Sequence, residues 1–319
     1  MIENLDISPL RISVDEENLD KKNREFIQKK DMYQHKNSLG SFISERNFSQ
    51  FFVRNYLAPM AGSIWSTPGS KIADYPTISI LQFFNNHGLL SVSNHHQWFH
   101  LSDGSSSYIK HLFNHERFRK KEIKVCKNHR VDYVEPMQNK QEGLKVSLQL
   151  ENLEKKEKYT MKVDDVIFAC HANETLLCLN NSRPEYPLLK RIRFQKNVGY
   201  LHNDKRLMPR KKRAWSSWNS VSDGEKTCIT YWLNKLQNLD TSKDYFLTLN
   251  PICKINENSV IKKVDFTHPY LNSKNTALQK DLRLIQGKKR TWFCGSYFGY
   301  GFHEDGLKSS IDLINNFKI

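Results

Sequence analysis

The chain has 319 residues, of which 38% are hydrophobic and 12% aromatic, and this apolar content excludes an intrinsically disordered protein. Its formal net charge of +15 raises nucleic acid or an anionic membrane as partners, but Lys and Arg are spread along the whole chain. No apolar run has membrane-spanning length, and the first residues do not have the pattern of a secretory signal, so we expect a cytoplasmic protein. The six cysteines are scattered and no His lies at zinc-finger spacing, so we expect neither a disulfide framework nor a metal site.

The first 90 residues predict helices. Aromatic and apolar residues recur at three- and four-residue steps up to residue 58. Residues 58–76 are rich in Pro, Gly and Ser, which predicts a structured loop or a short helix, and TISILQFFNNHGLL predicts a further helix closed by Gly88. We therefore expect residues 1–94 to form a helical region.

The segment QWFHLSDGSSSYIKHLF, residues 97–113, predicts a short strand, a turn of small residues at Gly104 and a helix. Free N–H groups at a helix N-terminus favour anions, which makes Gly104 a candidate cofactor-binding residue. A plain capped helix is the simpler interpretation of the same residues.

From residue 123 the pattern predicts strands: IKVCKNHRVDYVEP, LKVSLQLENL, KYTMKV and DDVIFAC alternate or are β-branched, with polar turns between them. A helix then begins near Asn173, as in the strand-to-helix crossover of a doubly wound sheet. These features predict that residues 95–178 form one unit, consisting of a β-meander and a return strand.

Five more strands are predicted between residues 192 and 269, in FQKNVGYLHN, KRAWSSWN, KTCITYWLN, YFLTLNP and VIKKVDFTHP. Short connections between successive strands favour a mostly antiparallel sheet within residues 179–280. Residues 281–319 predict a short apolar strand, a glycine-rich loop and a final helix from about Glu304. The predicted fold class is thus mixed α/β (α+β), with a partial Rossmann-like domain and a second domain of antiparallel sheet and helices.

The last loop contains the strongest candidate site. Gly295, Gly299 and Gly301 lie between a buried strand and an amphipathic helix, where the missing side chains let a ligand approach the backbone closely. Glu304 and Asp305 at the helix start would repel a phosphate, so a neutral or electron-accepting ring edge is the better candidate ligand. On glycine spacing alone, an ordinary turn before a capped helix remains the alternative.

The sequence WFCGSYFGYGFHEDGLKSS resembles the C-terminal flavin-contacting motif of flavin-containing amine oxidases. The similarity extends to YLAPMAGSIWSTP, FFNNHGLL, YLHNDKRLMPRKKRAWSSWN, TYWLNKLQNLD and FLTLNP, which resemble a bacterial subgroup of predicted NAD/FAD-binding amine oxidase domain proteins. A run of ordered motifs over residues 56–310 is more specific than one motif. The resemblance implies an FAD-dependent oxidoreductase that transfers a hydride from an apolar or amine substrate to the flavin. It also implies that residues 95–178 form a partial FAD-binding domain, to which the strand, loop and helix of residues 281–319 belong. Residues 1–94 would be the helical part of the substrate domain, and residues 179–280 its antiparallel sheet.

The resemblance also implies roles for particular positions. Gly295 would lie against the FAD pyrophosphate or ribityl region, and Gly301 and Phe302 would flank the isoalloxazine ring. The backbone N–H of His303 would face the flavin C2 carbonyl at a positive helix end. The backbone of Val131 would recognise adenine, a role that requires no particular side chain.

The sequence departs from the family pattern in one respect. The family opens with a strand–GxGxxG–helix unit, and this sequence does not contain that unit. A truncated gene product, a sequence fragment and a separately encoded N-terminal half are the alternatives. We expect the chain alone to bind FAD weakly or not at all and to present an unpaired edge of parallel sheet.

For the chemistry, His202 in GYLHN corresponds to the part of the substrate sheet that faces the flavin, which makes it a candidate proton-transfer residue; a structural role is the alternative. Phe302, Trp65 and Trp232 would line an aromatic substrate cavity, unless they are ordinary core residues. Related proteins are sometimes fused to cyclopropane fatty acid synthases, which favours a small lipid-like substrate.

Two rival interpretations remain. The basic runs RFRKKEIK and PRKKR would suit a module that binds nucleic acid or an anionic membrane without catalysis. Neither run is interleaved with aromatics, so we do not expect nucleic acid as a partner, whereas a peripheral contact with an anionic membrane stays open. The other rival is a decayed, non-catalytic remnant.

Overall fold

The computed structural model describes residues 38–90, 97–119, 123–139, 143–222 and 227–317. The helices predicted before residue 38 lie outside the described residues. Within the described residues the chain is a mixed α/β protein with helices and antiparallel sheets, which confirms the predicted fold class. None of the helices in these ranges is both long and apolar enough to cross a membrane.

A helical layer is formed by the described residues before position 90. Its buried core contains Leu39, Tyr75, Ile80 and Phe84, which are at most 2% exposed. Gly88 has a φ of +66° just after the last helix, as expected for a glycine that ends a helix. The helices are α1 Leu39–Glu45, α2 Gln50–Phe52, α3 Ala58–Ile64, α4 Gly69–Ile72 and α5 Thr77–Asn86, with a π-helical turn Val53–Leu57 between α2 and α3.

The segment that follows differs from its prediction. Residues 97–101 do not form the expected strand; the helix after Gly104 does form, as α6 Ser106–Asn114, followed by α7 Glu116–Arg119. A strand needs a partner, and this segment has none among the described residues. Instead, Trp98 stacks on His87 at a ring-centroid distance of 5.7 Å.

The predicted β-meander is confirmed as an antiparallel three-stranded sheet in the order β1-β2-β3. Its strands are β1 His129–Asn139, β2 Gly143–Asn152 and β3 Glu157–Val163. The first strand begins at His129, six residues later than the sequence pattern suggested. Val134 and Val146 are fully buried and belong to the same core as the strands described next.

Two short parallel strands from distant parts of the sequence meet in this core. They are β4 Val166–Phe168 and β10 Thr291–Phe293. The N–H of Cys294 donates to the carbonyl of Phe168 over 2.9 Å, and the rings of Phe168 and Phe293 stack at 5.7 Å. The helices around this pair are α8 Ala172–Cys178, α9 Tyr186–Arg191, α11 Ser273–Arg283 and α12 His303–Asn316.

The outer edge of β10 is not open, so the predicted unpaired edge of parallel sheet does not lie on this side. The side-chain amide of Gln286 accepts from the N–H of Phe293 and donates to its carbonyl, over 2.9 and 2.8 Å. The N–H of Gly287 donates to the carbonyl of Thr291 over 3.0 Å. Gln286 therefore satisfies the polar groups that a neighbouring strand would otherwise bind. On the other side, β4 has no further strand partner among the described residues.

The remaining strands form one antiparallel sheet, as predicted, and its strand order is β6-β7-β8-β5-β9. Its strands are β5 Phe194–His202, β6 Trp218–Ser222, β7 Thr227–Trp232, β8 Phe246–Leu249 and β9 Val260–Pro269, with α10 Leu233–Leu236 after β7. The segment KRAWSSWN is a strand only at its end: Lys212–Ala214 form a 3-10 turn, and Trp218 begins β6. Between them, Trp215 is buried and its Nε1 donates to the carbonyl of Pro209 over 2.7 Å. Pairing of β5 with β9 brings Gln195 opposite His268.

Candidate functional site

The glycine-rich loop follows β10 at the carboxyl end of the parallel strands, the position at which open α/β sheets bind ligands. Gly295 has a φ of +152°, and a Cβ on this residue would lie 2.7 Å from the ring of Tyr297. Its N–H donates to Ser309 Oγ of α12 over 2.9 Å. Glycine is therefore required at this position both by the backbone conformation and by the close packing of Tyr297.

The carboxylate of Asp305 holds the end of the loop against α12. It accepts from the backbone N–H of Phe302 over 3.0 Å and also from the N–H of Tyr300. Burial raises the pKa of Asp305, and these two hydrogen bonds oppose that rise. A Cβ on Gly299 would collide with the same carboxylate. The carboxylate of Asp305 thus stabilises the backbone conformation of the loop.

We expect Gly299→Ala to lower the free energy of unfolding by about 1–3 kcal/mol, because the added methyl group must displace the Asp305 carboxylate. Gly306→Ala is the matched control, since the nearest atom to its Cβ is the Ser296 nitrogen at 3.8 Å, an ordinary contact. That variant should be neutral or more stable, as alanine is the better helix former. Urea denaturation measures both; equal stabilities would contradict the tight contact at Gly299.

A row of aromatic rings extends from this loop to the surface, and we call it the aromatic row. Phe302 lies 5.9 Å from Trp65 and 4.9 Å from Phe83, measured between ring centroids. Phe83 stacks on His87 at 3.8 Å, and His87 in turn stacks on Trp98, which is 69% exposed. Trp65 Nε1 donates to the carbonyl of Tyr300 over 3.1 Å, which fixes this ring to the loop.

Phe302 and Trp65 were both predicted to line the substrate cavity, and the structure brings them into contact. Trp232, the third predicted residue, lies in a different cluster with Trp215 and Phe246. Its Nε1 donates to Asp244 over 3.1 Å. The sequence could not separate Trp65 from Trp232, because their relative position depends on how the sheet packs against the helices.

His202 is fully buried within the antiparallel sheet. Its Nδ1 accepts from the N–H of Asp204 over 3.0 Å, and its Nε2 lies 2.7 Å from Thr248 Oγ1. Burial lowers the pKa of His202, which favours a neutral ring. It lies seven residues along β5 from Gln195, at the end of the strand away from His268, or about 23 Å at the usual rise per residue. Its catalytic role stays a prediction.

The three other residues that were predicted to contact the cofactor lie on β1, in the turn before α6 and at the start of α12. Val131 is on β1, at a register shift, and its carbonyl accepts from the Cys178 thiol over 3.1 Å. Gly104 has a φ of +76° in an open turn before α6, with no atom within 4 Å of its Cβ position. His303 is exposed at the first position of α12, directly after Phe302. Their cofactor contacts stay predictions.

A group of polar side chains near the loop was not predicted as a site. Asn197, Asn250 and His268 form a continuous set of hydrogen bonds, and His171 lies beside His268. The sequence gives little indication of this group, because a polar residue such as Asn197 within a predicted strand is common. The structure shows that Asn197 is buried, with 4% of its surface exposed. Among the described residues, no group of three or more His, Cys, Asp or Glu side chains could hold a metal ion.

Comparison with known proteins supports the fold. No family model matches the sequence, and no curated protein matches it. The CLA-producing fatty acid isomerase from P. acnes has a similar structure, with a TM-score of 0.57 and 12% identity over 90% of this chain and 67% of that one. At this identity the similarity shows a shared fold. This chain spans about two thirds of that protein.

Two further solved structures match over shorter parts. The flavin-dependent monooxygenase PieE in complex with FAD and substrate has a TM-score of 0.28 and 11% identity over 52% of this chain and 29% of that chain. RebC with bound 7-carboxy-K252c has a TM-score of 0.31 and 10% identity over 57% and 33%. None of these proteins is described as an amine oxidase, so amine oxidation stays a prediction.

Proposed function

We propose that this chain belongs to an FAD-dependent oxidoreductase that acts on an apolar, acyl-chain substrate. The observation that supports this proposal most directly is the loop between Gly295 and Phe302, at the carboxyl ends of two parallel strands and in contact with the aromatic row. The fold shared with a fatty acid isomerase is consistent with an acyl substrate. FAD, when bound, supplies a ring that accepts a hydride.

The loop fits a flat ring for a steric reason. Gly301 has a φ of +92°, and a Cβ on this residue would meet only Pro269 Cγ, at 3.4 Å, so the loop leaves space in front of its backbone. The first N–H groups of α12 provide a positive helix end beside that space. Phe302 and Trp65 would form the apolar wall that excludes water from an acyl chain.

Exposed apolar side chains support a further polypeptide as partner, such as the separately encoded half considered above. Leu307, Ile311 and Ile314 form a stripe along α12 and are 50–61% exposed. Ile167 on β4, a strand with one partner among the described residues, is 45% exposed. Sheets of parallel strands are normally covered on both faces, so we propose that a strand-and-helix segment covers this side.

The visible absorption spectrum tests the proposed function. The full chain is purified after incubation with FAD, both alone and co-expressed with a strand–GxGxxG–helix segment encoded upstream of it. We expect flavin absorption in the co-expressed preparation and little in the chain alone, because a GxGxxG helix binds the pyrophosphate. Stoichiometric FAD on the chain alone would contradict the need for a partner, and absence of flavin from both preparations would contradict the proposed function.

A further inference from the structure

Three hydrogen bonds connect strands β5, β8 and β9 near the glycine-rich loop. The backbone N–H of Val198 donates to Asn250 Oδ1 over 3.0 Å. Asn250 Nδ2 donates to Asn197 Oδ1 over 2.7 Å, and Asn197 Nδ2 lies 2.8 Å from His268 Nδ1. Because β5 lies between β8 and β9, these side chains meet although 53 and 71 positions separate the partners.

The backbone N–H of Val198 fixes which partner donates in each of these three hydrogen bonds. An N–H group only donates, so Asn250 must turn its amide oxygen to Val198 and its NH2 group to Asn197. Asn197 then has its oxygen occupied and turns its NH2 group to His268. An NH2 group also only donates, so His268 Nδ1 must accept. The neutral His268 ring therefore carries its proton on Nε2.

Its cross-strand partner places the His268 ring on the face of the sheet that packs against Trp65 of the aromatic row. His268 lies opposite Gln195 on β5, and Gln195 Nε2 donates to the Trp65 carbonyl over 3.5 Å and to Thr67 Oγ1 over 3.1 Å.

The residues of β9 on either side of His268 point to the opposite face of the sheet. Pro269 is the residue that a Cβ on Gly301 would touch. His171, which directly precedes α8 after β4, has its Nδ1 3.2 Å from Thr267 Oγ1, and its ring packs on Phe194. The position of His171 after a parallel strand is a usual one for ligand-binding residues.

The surroundings keep the ring neutral. Burial lowers the pKa of His268, and the neighbouring His171 lowers it further. Protonation of Nδ1 is also unfavourable because the Nδ1–H group would then face the NH2 group of Asn197, and both groups are donors. His268 can thus offer one hydrogen bond, from Nε2–H, to a ligand.

We propose that His268 is a substrate-binding residue whose Nε2–H group donates a hydrogen bond to a carbonyl or carboxylate oxygen at the head of the acyl substrate. The inference rests on the proposed function for the substrate class. A site that is built to hydrogen-bond an oxygen discriminates strongly against ligands that lack it, because the donor is then left unpaired. His268 would therefore orient the chain, with its apolar part along the aromatic row.

The tautomer is tested without any ligand. Nitrogen-15 NMR of the full, histidine-labelled chain at neutral pH should show His268 as the Nε2–H tautomer, with the signal assigned by its loss in His268→Phe. Asn197→Asp replaces the donor at Nδ1 by an acceptor and should move the proton to Nδ1. A wild-type signal typical of Nδ1–H would overturn the inference, and this holds even if Asn197→Asp does not fold.

The ligand contact is tested with three twelve-carbon probes: dodecanoic acid, methyl dodecanoate and 1-dodecene. Binding to the full chain is followed by tryptophan fluorescence, since Trp65 contacts Phe302. His268→Phe should weaken binding of the acid and the ester about tenfold and leave the alkene unchanged.

Phe266→Leu is the control, because Phe266 stacks on His268 and its replacement alters packing but keeps the donor. It should affect all three probes equally. An equal loss for all three in His268→Phe would assign His268 to packing alone and overturn the inference. If the wild-type chain binds none of the probes, the acyl headgroup contact is wrong, whereas the flavin spectrum decides the proposed function separately.

Discussion

Glu185→Ala is expected to lower the free energy of unfolding by about 3–5 kcal/mol, the usual cost of removing one partner of a buried ion pair. Glu185 is fully buried and Arg183 is 4% exposed. The guanidinium donates to both carboxylate oxygens, over 3.1 and 3.2 Å, and to Thr291 Oγ1 over 2.8 Å. Without the carboxylate, a positive charge remains in the core beside β10.

Chemical denaturation of the variant and of two comparison variants measures this effect. Lys254→Ala removes an exposed pair with Glu257, whose side chains are 82% and 78% exposed, and should change stability by less than about 1 kcal/mol. The double replacement Arg183→Met with Glu185→Met removes both charges and should be more stable than Glu185→Ala alone. If Glu185→Ala costs no more than Lys254→Ala, the guanidinium is not held in a dry core.

Local sequence patterns predicted the elements that depend on neighbouring residues. The alternation in LKVSLQLENL and KYTMKV predicted the strands that form β2 and β3, and the apolar run VIF predicted β4. The glycine-rich loop and α12 also lie where glycine spacing and helical periodicity placed them. In each case the side chains that set the pattern are close in sequence, so the pattern needs no knowledge of the remaining fold.

The features that the sequence did not show depend on contacts between distant strands. Gln286 was not expected to close the edge of β10, because a side-chain amide that replaces a strand has no periodic signature. The direction of the hydrogen bonds to His268 follows from the order β8-β5-β9, which sequence alone does not determine. The separation of Trp232 from Trp65 has the same origin, since it depends on how the sheet packs on the helices.

Gly301→Trp is expected to abolish flavin binding in the preparation that carries FAD, and to do so with little loss of folding. The loop leaves open space at this position, with only Pro269 Cγ at 3.4 Å from a Cβ, so an indole group would enter the space proposed for the ring. The φ of +92° adds strain of about 1–3 kcal/mol for any residue with a side chain.

Gly143→Trp controls for that strain. Gly143 begins β2, has a φ of +76°, and has no atom within 4 Å of its Cβ position, so it combines a similar backbone conformation with a location on the meander. Flavin content is read from visible absorption and folding from circular dichroism in both variants. We expect Gly143→Trp to retain FAD and Gly301→Trp to lose it while keeping a cooperative thermal transition. Retention of FAD by Gly301→Trp at the wild-type level would remove this loop from the flavin site, because a bound ring and an indole group cannot occupy the same space.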